Sequence, residues 1–136
     1  MQTFLPVQDY HESGYILDKR RCWNQVNESL VIHRTIQGFY KKGWQNHPIV
    51  KMWRNYPDAL AEYHNIFLEI SIKRGVKVKS PLFLPLPSNI VYPPWLGNEK
   101  VHSSHRANLL RKDPVYYGQF GWVEEPAEGY FWVECP

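Results

Sequence analysis

Cysteine is scarce in this chain. Cys22 and Cys135 are the only two, they lie far apart, and neither has a partner at metal-ligand spacing. That argues against a zinc module or a disulfide framework and for a reducing compartment. Long apolar runs are missing as well: no stretch approaches the roughly 18 residues that suggest a membrane helix. The N-terminus MQTFLPVQDY lacks the basic-then-apolar pattern of a signal peptide. The expectation is a cytoplasmic protein that is neither secreted nor membrane-spanning. There is also no G-x-S-x-G nucleophile turn. Beyond Lys112 there is no Lys or Arg. Sixteen cations against eight acids give +8 up to that residue, and five acids alone give −5 over 113–136, for a net charge of +3. A cationic body interleaved with aromatic residues points to a polyanionic partner. The acidic tail, with Trp122, Tyr130, Phe131 and Trp132, is expected to dock on that body, because such side chains are costly to leave in water.

At 136 residues the chain is expected to form a single helical domain over 1–136, with 122–136 as an acidic aromatic tail packed on it. Residues 1–8 read as extended, with Phe4, Leu5 and Val7 as anchors. Asp9 caps a short helix ending near Gly14 to Leu17. Asp18 caps a long one running to about Gln37, stopped by Gly38, with Cys22, Val26, Leu30, His33 and Ile36 as its core stripe. Pro48 opens a short helix, and Pro57 opens the clearest amphipathic helix, with Leu60, Tyr63, Phe67 and Ile70 on one face and Gly75 at its end. Five prolines between Val76 and Gly97 predict an irregular wrapping segment plugged by Trp95 and Leu96. Asn98 and Asp113 cap two further helices. Strand signals are weak and confined to the termini. The fold class is all-α: a compact bundle with an irregular Pro-rich segment and extended termini.

The segment DKRRCWNQVNE carries the sharpest chemical pattern. Arg21, Gln25 and Glu28 lie at i, i+4 and i+7, in one line on a helix. A lone carboxylate beside an arginine and an amide suits chemistry at a nucleic-acid backbone; a solvated face with one ion pair would look the same. Lys19, Arg20, Lys41, Lys42, His47, Lys51, Arg54, Arg111 and Lys112 cluster near Trp23, Tyr40, Trp44 and Trp53. Cations for phosphates and aromatic planes for bases are the currency of nucleic-acid binding, while a core of aromatics with a solvated cationic surface is the alternative. HSSHR offers His105, Arg106 and Ser103 to a phosphate from one helix face. His102 and His105 at i, i+3 have no third ligand by spacing, so no metal is expected, and a plain surface helix fits equally. For a nucleophile there is Lys19, crowded by like charge, or the α-amine, held by Met1, Gln2 and Thr3 ahead of FLPV.

MQTFLP, LDKRR…Q..E, GWQNHPIVKMW and PPWLG…HSSHRANLLRKDPVYYGQFGW together resemble a phage and bacterial family grouped with the pyrimidine-dimer DNA glycosylases of the phage endonuclease V type. The likeness spans roughly residues 1–122. It implies an all-helical, metal-free and cofactor-free enzyme acting on duplex DNA in a bacterial or phage-infected cell. In it the N-terminal amine attacks C1′ to form an imine, and a glutamate assists base loss and β-elimination. Glu28 matches that carboxylate. Arg21 falls where the family has a histidine, and Asn27 and Val31 where it has arginines. Methionine is removed only ahead of small residues, so with Gln2 second the amine belongs to Met1. The resemblance thus implies a glycosylase and AP lyase. It casts Glu28 and Met1 as the reacting groups, supported by Arg21, Gln2 and Thr3, with Lys19, Arg20, Gln25, Trp44, His47, Lys51, Arg54, His105, Arg106 and Lys112 on the nucleic acid. A non-catalytic nucleic-acid-binding module is the alternative. A partner-binding protein that exposes Tyr130, Phe131 and Trp132 as a patch is a third.

Overall fold

A computed structural model describes residues 1–133, so Cys135 and the last residues of the tail lie outside it. Six α-helices and no strand occur among the described residues: α1 (Tyr10–Ile16), α2 (Lys19–Ile36), α3 (Pro48–Trp53), α4 (Pro57–Lys73), α5 (Glu99–Lys112) and α6 (Pro114–Tyr117). Their starts follow from local chemistry. Asp9, Asp18, Asn98 and Asp113 each accept a hydrogen bond from a backbone N–H of the first turn, while Pro48 and Pro57 occupy first-turn positions whose missing N–H costs nothing. Gly38 and Gly75 follow α2 and α4 at φ 87° and 96°, a left-handed region where a Cβ would be strained.

The centre of the molecule is the pairing of α2 with α4, with α1 against α4 and α3 against α2. Leu60, Tyr63, Phe67 and Ile70 are buried, as the period of α4 predicts. Trp95 plugs the Pro-rich segment onto this core: it is 2% exposed, meets Trp53 edge-on at 4.9 Å between centroids, and donates Nε1–H to the Met52 carbonyl at 2.9 Å.

The buried face of α2 differs from the expected stripe. Cys22 and Val26 are inside, but Gln25, Ser29, Ile32 and Thr35 complete the face, whereas Leu30, His33 and Ile36 are only half-buried. The polar members can face inward because their hydrogen bonds are satisfied there. Ser29 Oγ donates to the Gln25 carbonyl at 2.7 Å, Thr35 Oγ1 donates to that of Val31 at 2.7 Å, and Gln25 is engaged by the N-terminal segment. Nor, among the described residues, do the termini form strands. The first residues run extended through a groove and are held by side chains, and the tail is fixed along α5. There Ala127 N–H donates to Ala107 O, Asn108 Nδ2 to Gly129 O, and Phe131 N–H to Ser104 Oγ.

Candidate nucleic-acid site at the N-terminal segment

Residues 3–7 are tethered one after another by side chains from the helices around them. Trp53 Nε1 donates to Thr3 Oγ1 at 3.1 Å. Phe4 N–H donates to Gln25 Oε1 at 3.0 Å, and the Tyr63 hydroxyl lies 2.7 Å from the same oxygen and 3.0 Å from the Phe4 carbonyl. Leu5 N–H donates to His105 Nδ1 at 3.0 Å, and Leu5 O accepts from His102 Nδ1 at 2.8 Å. Arg106 Nη1 donates to Pro6 O at 2.7 Å, and Ser13 Oγ donates to Val7 O at 2.8 Å. A five-residue stretch without regular structure thus has its polar groups satisfied by α1, α2, α3, α4 and α5 together. Such a clamp fixes where Met1 begins, and Met1 itself packs against the core.

Beside this start lies His47. It caps α3, its Nδ1 accepting from Ile49 N–H at 3.1 Å, so the ring proton sits on Nε2, away from the helix. Burial pushes its pKa down, the N-terminal ammonium adds to that, and Glu28 pulls the other way. The amine and the carboxylate therefore both act on one imidazole. Glu28 is half-buried and makes no hydrogen bond or ion pair among the described residues. It lines a shallow depression with Asn24, Asn27 and Val31.

Several sequence candidates are engaged elsewhere. Arg21 turns back to Asp18 at 3.2 Å and lies over the Tyr117 ring, roughly two turns (~10 Å) along α2 from Glu28. Gln25 is 4% exposed and spent on Phe4 and Tyr63, so it faces the core rather than a phosphate. His105 is 3% exposed. Burial, reinforced by His102 and Arg106, lowers its pKa to about 3, and a neutral Nδ1 is what the Leu5 N–H requires. His102 donates from Nδ1 and accepts from Gly97 N–H at Nε2, the neutral pattern, with its pKa also lowered by burial. Arg106 is saturated by Pro6 O, Glu99 and Glu124, and Ser103 donates to Glu124 as well. The HSSHR helix face is therefore internal scaffolding, which corrects its reading as a phosphate contact. Its role was invisible in the sequence because the partners are backbone atoms about a hundred residues away.

Lys19, Arg20, Lys51, Arg54, Trp44 and Lys112 are exposed. Trp44 pairs with Tyr40 at 5.0 Å between centroids, next to Lys41 and Lys42, and Arg54 donates to the Gln45 carbonyl that closes this loop. Lys112 has its pKa lowered by partial burial and by Arg111 and Arg21, which marks a second cationic cluster where α2 starts and α5 ends. No group of three His, Cys, Asp or Glu suited to a metal occurs among the described residues.

The family model for pyrimidine dimer DNA glycosylases matches residues 1–84. The chain belongs to that family. The matched part contains the N-terminal segment, Gln25, Glu28, His47, Trp53 and Tyr63; the histidines of α5 and the aromatic tail lie beyond it. No curated protein and no solved structure matches the chain. Membership makes this a DNA glycosylase of the repair type, with DNA as its substrate. No helix of the glycosylase is long and apolar enough, among the described residues, to cross a membrane.

Proposed function

We propose that this glycosylase cuts the glycosidic bond through its own first amine, as a combined glycosylase and AP lyase. The observation that carries the reading is the clamp on residues 3–7, which spends buried side chains from five helices on an extended segment whose only evident product is a fixed chain start. The neutral Met1 amine attacks C1′, and the bond from C1′ to the base breaks with its electron pair leaving on the base, which takes up a proton. Loss of the amine proton and opening of the sugar give the imine. Removal of a C2′ proton then expels the 3′ phosphate, and water releases the sugar fragment from the amine. Glu28, unpaired and at the edge of the buried face, is the acid and base for these transfers. His47, its pKa lowered by burial and by the N-terminal ammonium, offers its Nε2–H as a donor there without adding a positive charge beside the amine. Lys19, Arg20, Lys51, Arg54 and Lys112 hold the backbone, and Trp44 with Tyr40 offers a stacking surface.

Borohydride trapping on a duplex with an abasic site tests this directly. Wild-type protein is expected to give a covalent adduct through residue 1. Glu28→Gln is expected to lower the trapping rate by about 100-fold or more while leaving duplex affinity within about twofold. Salt-dependent binding with no adduct under any condition would instead identify a DNA-binding module without chemistry.

A further inference from the structure

A cleft that the proposed reaction does not use is bounded by three separate stretches of chain: the start of α1, the first half of α4 and the end of the Pro-rich segment. It holds about 620 Å³, within the range of small-molecule sites, roughly 300–1,000 Å³. Two carboxylates line it, Asp9 and Glu62, and no lysine or arginine does; the exposed His11 is its one base. Glu62 is half-buried, and its Oε1 accepts from the Tyr92 hydroxyl at 2.7 Å. Unlike Asp18, Glu69, Glu99 and Glu124, it has no cationic partner among the described residues. An anion would be repelled from such a lining.

Tyr10 forms part of the wall and gives a second, independent sign of a ligand. The side chain is 6% exposed, and its Oη is buried with no hydrogen-bond partner among the described residues, a rare condition in a native protein. Tyr63 meets the Tyr10 ring edge-on at 5.6 Å and Tyr92 does so at 6.2 Å, which fixes the ring and with it the hydroxyl. Burial, with Glu62 and Tyr92 adding to it, raises its pKa, so the group stays a neutral phenol. Ile66 and Leu96, both half-buried, complete the wall with aliphatic surface. A carboxylate without a cation, an unpaired phenol, two tyrosine rings and an apolar wall make a receptor for an ammonium group on a hydrocarbon stem.

We propose that this cleft binds a small aliphatic amine in its ammonium form. The head sits on Glu62 and on Tyr10 Oη beside the Tyr92 ring, and the stem runs along Ile66 and Leu96. Asp9 offers a second anchor to a diamine. The site is independent of the reaction at Met1.

Isothermal titration of the full-length chain without DNA tests this, with 1,4-diaminobutane as the probe and 1,4-butanediol as its uncharged counterpart. The diamine is expected to bind with a dissociation constant of about 1 mM or tighter, and the diol at least about tenfold more weakly. Glu62→Gln removes the charge and keeps the shape, and is expected to weaken the diamine about tenfold or more. Tyr10→Phe deletes only the unpaired hydroxyl, so the melting temperature should hold or rise while affinity falls about threefold or more. Glu125→Gln/Glu128→Gln, which removes exposed charges of the tail, should change affinity by less than about twofold. No heat up to about 10 mM diamine, or equal binding of diol and diamine, would overturn the site. Full affinity in either cleft variant, or a loss in the tail variant instead, would overturn it as well.

Discussion

Gln25 shows how much one side chain can decide. Its Oε1 serves both Phe4 N–H and the Tyr63 hydroxyl inside the protein. Gln25→Leu would leave the Phe4 amide only its longer contact to the Tyr63 hydroxyl, at 3.2 Å, at a cost of about 1 kcal/mol, that of one lost buried hydrogen bond. The larger expected effect is on chemistry, because the amine of residue 1 would lose its fixed position. Trapping should fall well below the loss of duplex affinity, measured on the same samples. His105 gives a pH signature. Its folded pKa of about 3 lies far below the ordinary histidine value of 6.5, so the unfolded chain takes up a proton that the native protein refuses. The penalty is absent above about pH 6.5, grows as pH falls, and reaches on the order of 5 kcal/mol near pH 3. Denaturation midpoints of wild type should drop steadily through that window, and His105→Leu should flatten the slope while lowering the plateau at neutral pH. None of this was legible locally. Glu28 stood out in the sequence by its spacing and type, but Gln25 and His105 looked like surface polar groups because their partners, the backbone of Phe4 and Leu5, carry no periodic signal.

At the level of elements the sequence was far more informative. Helix starts declared themselves through Asp9, Asp18, Asn98 and Asp113 and through Pro48 and Pro57, since a cap or a first-turn proline acts on its immediate neighbours. The faces were harder. In α4, rich in apolar residues, the stripe was readable. In α2, where Gln25, Ser29 and Thr35 face inward, apolar spacing pointed to the wrong side. Asp18 does more than start α2: its carboxylate accepts from Arg21 N–H, pairs with the Arg21 guanidinium, and accepts from the Tyr117 hydroxyl of α6. Its pKa is lowered by the Tyr117 and Arg21 contacts, which outweigh the opposing effect of burial, so this stabilisation is present above the ordinary aspartate range and is lost as pH falls below it. Asp18→Ala is expected to cost roughly 2–3 kcal/mol, about 1 for the cap and the remainder for the stranded tyrosine hydroxyl, read as a shifted urea midpoint with unchanged slope.

On the scale of the whole molecule, opposite charges are sorted along the chain and then folded together. Tail acids are partly consumed internally, as Glu124 is by Arg106 and Ser103, which leaves Lys19, Arg20, Lys41, Lys42, Lys51 and Lys112 exposed for a polyanion. Neutralising Lys41 and Lys42 together should reduce the slope of log affinity against log salt by up to about 2 if both contact phosphate, without changing lesion preference. The aromatic tail reaches the clamp itself: Tyr130 meets Phe4 and His105 edge-on at 6.0 and 5.9 Å, and Trp132 meets His47 at 6.2 Å. Truncation after Gly121 should therefore lower the melting temperature and cut trapping more than binding. Phe131 and Trp132 keep 40% and 36% of their surface in solvent.

Gln2 carries one more consequence. Its side chain folds back so that Oε1 accepts from the Thr3 N–H, while Nε2 is buried without a partner. A glutamine at the head of a polypeptide cyclises on its own nitrogen, expelling ammonia and leaving a lactam with no free lone pair to attack a sugar. Under the proposed reaction Met1 keeps that ring from closing, and preparations in which an aminopeptidase has stripped it are expected to be chemically silent on DNA, with an intact mass lighter by one methionine residue and one ammonia.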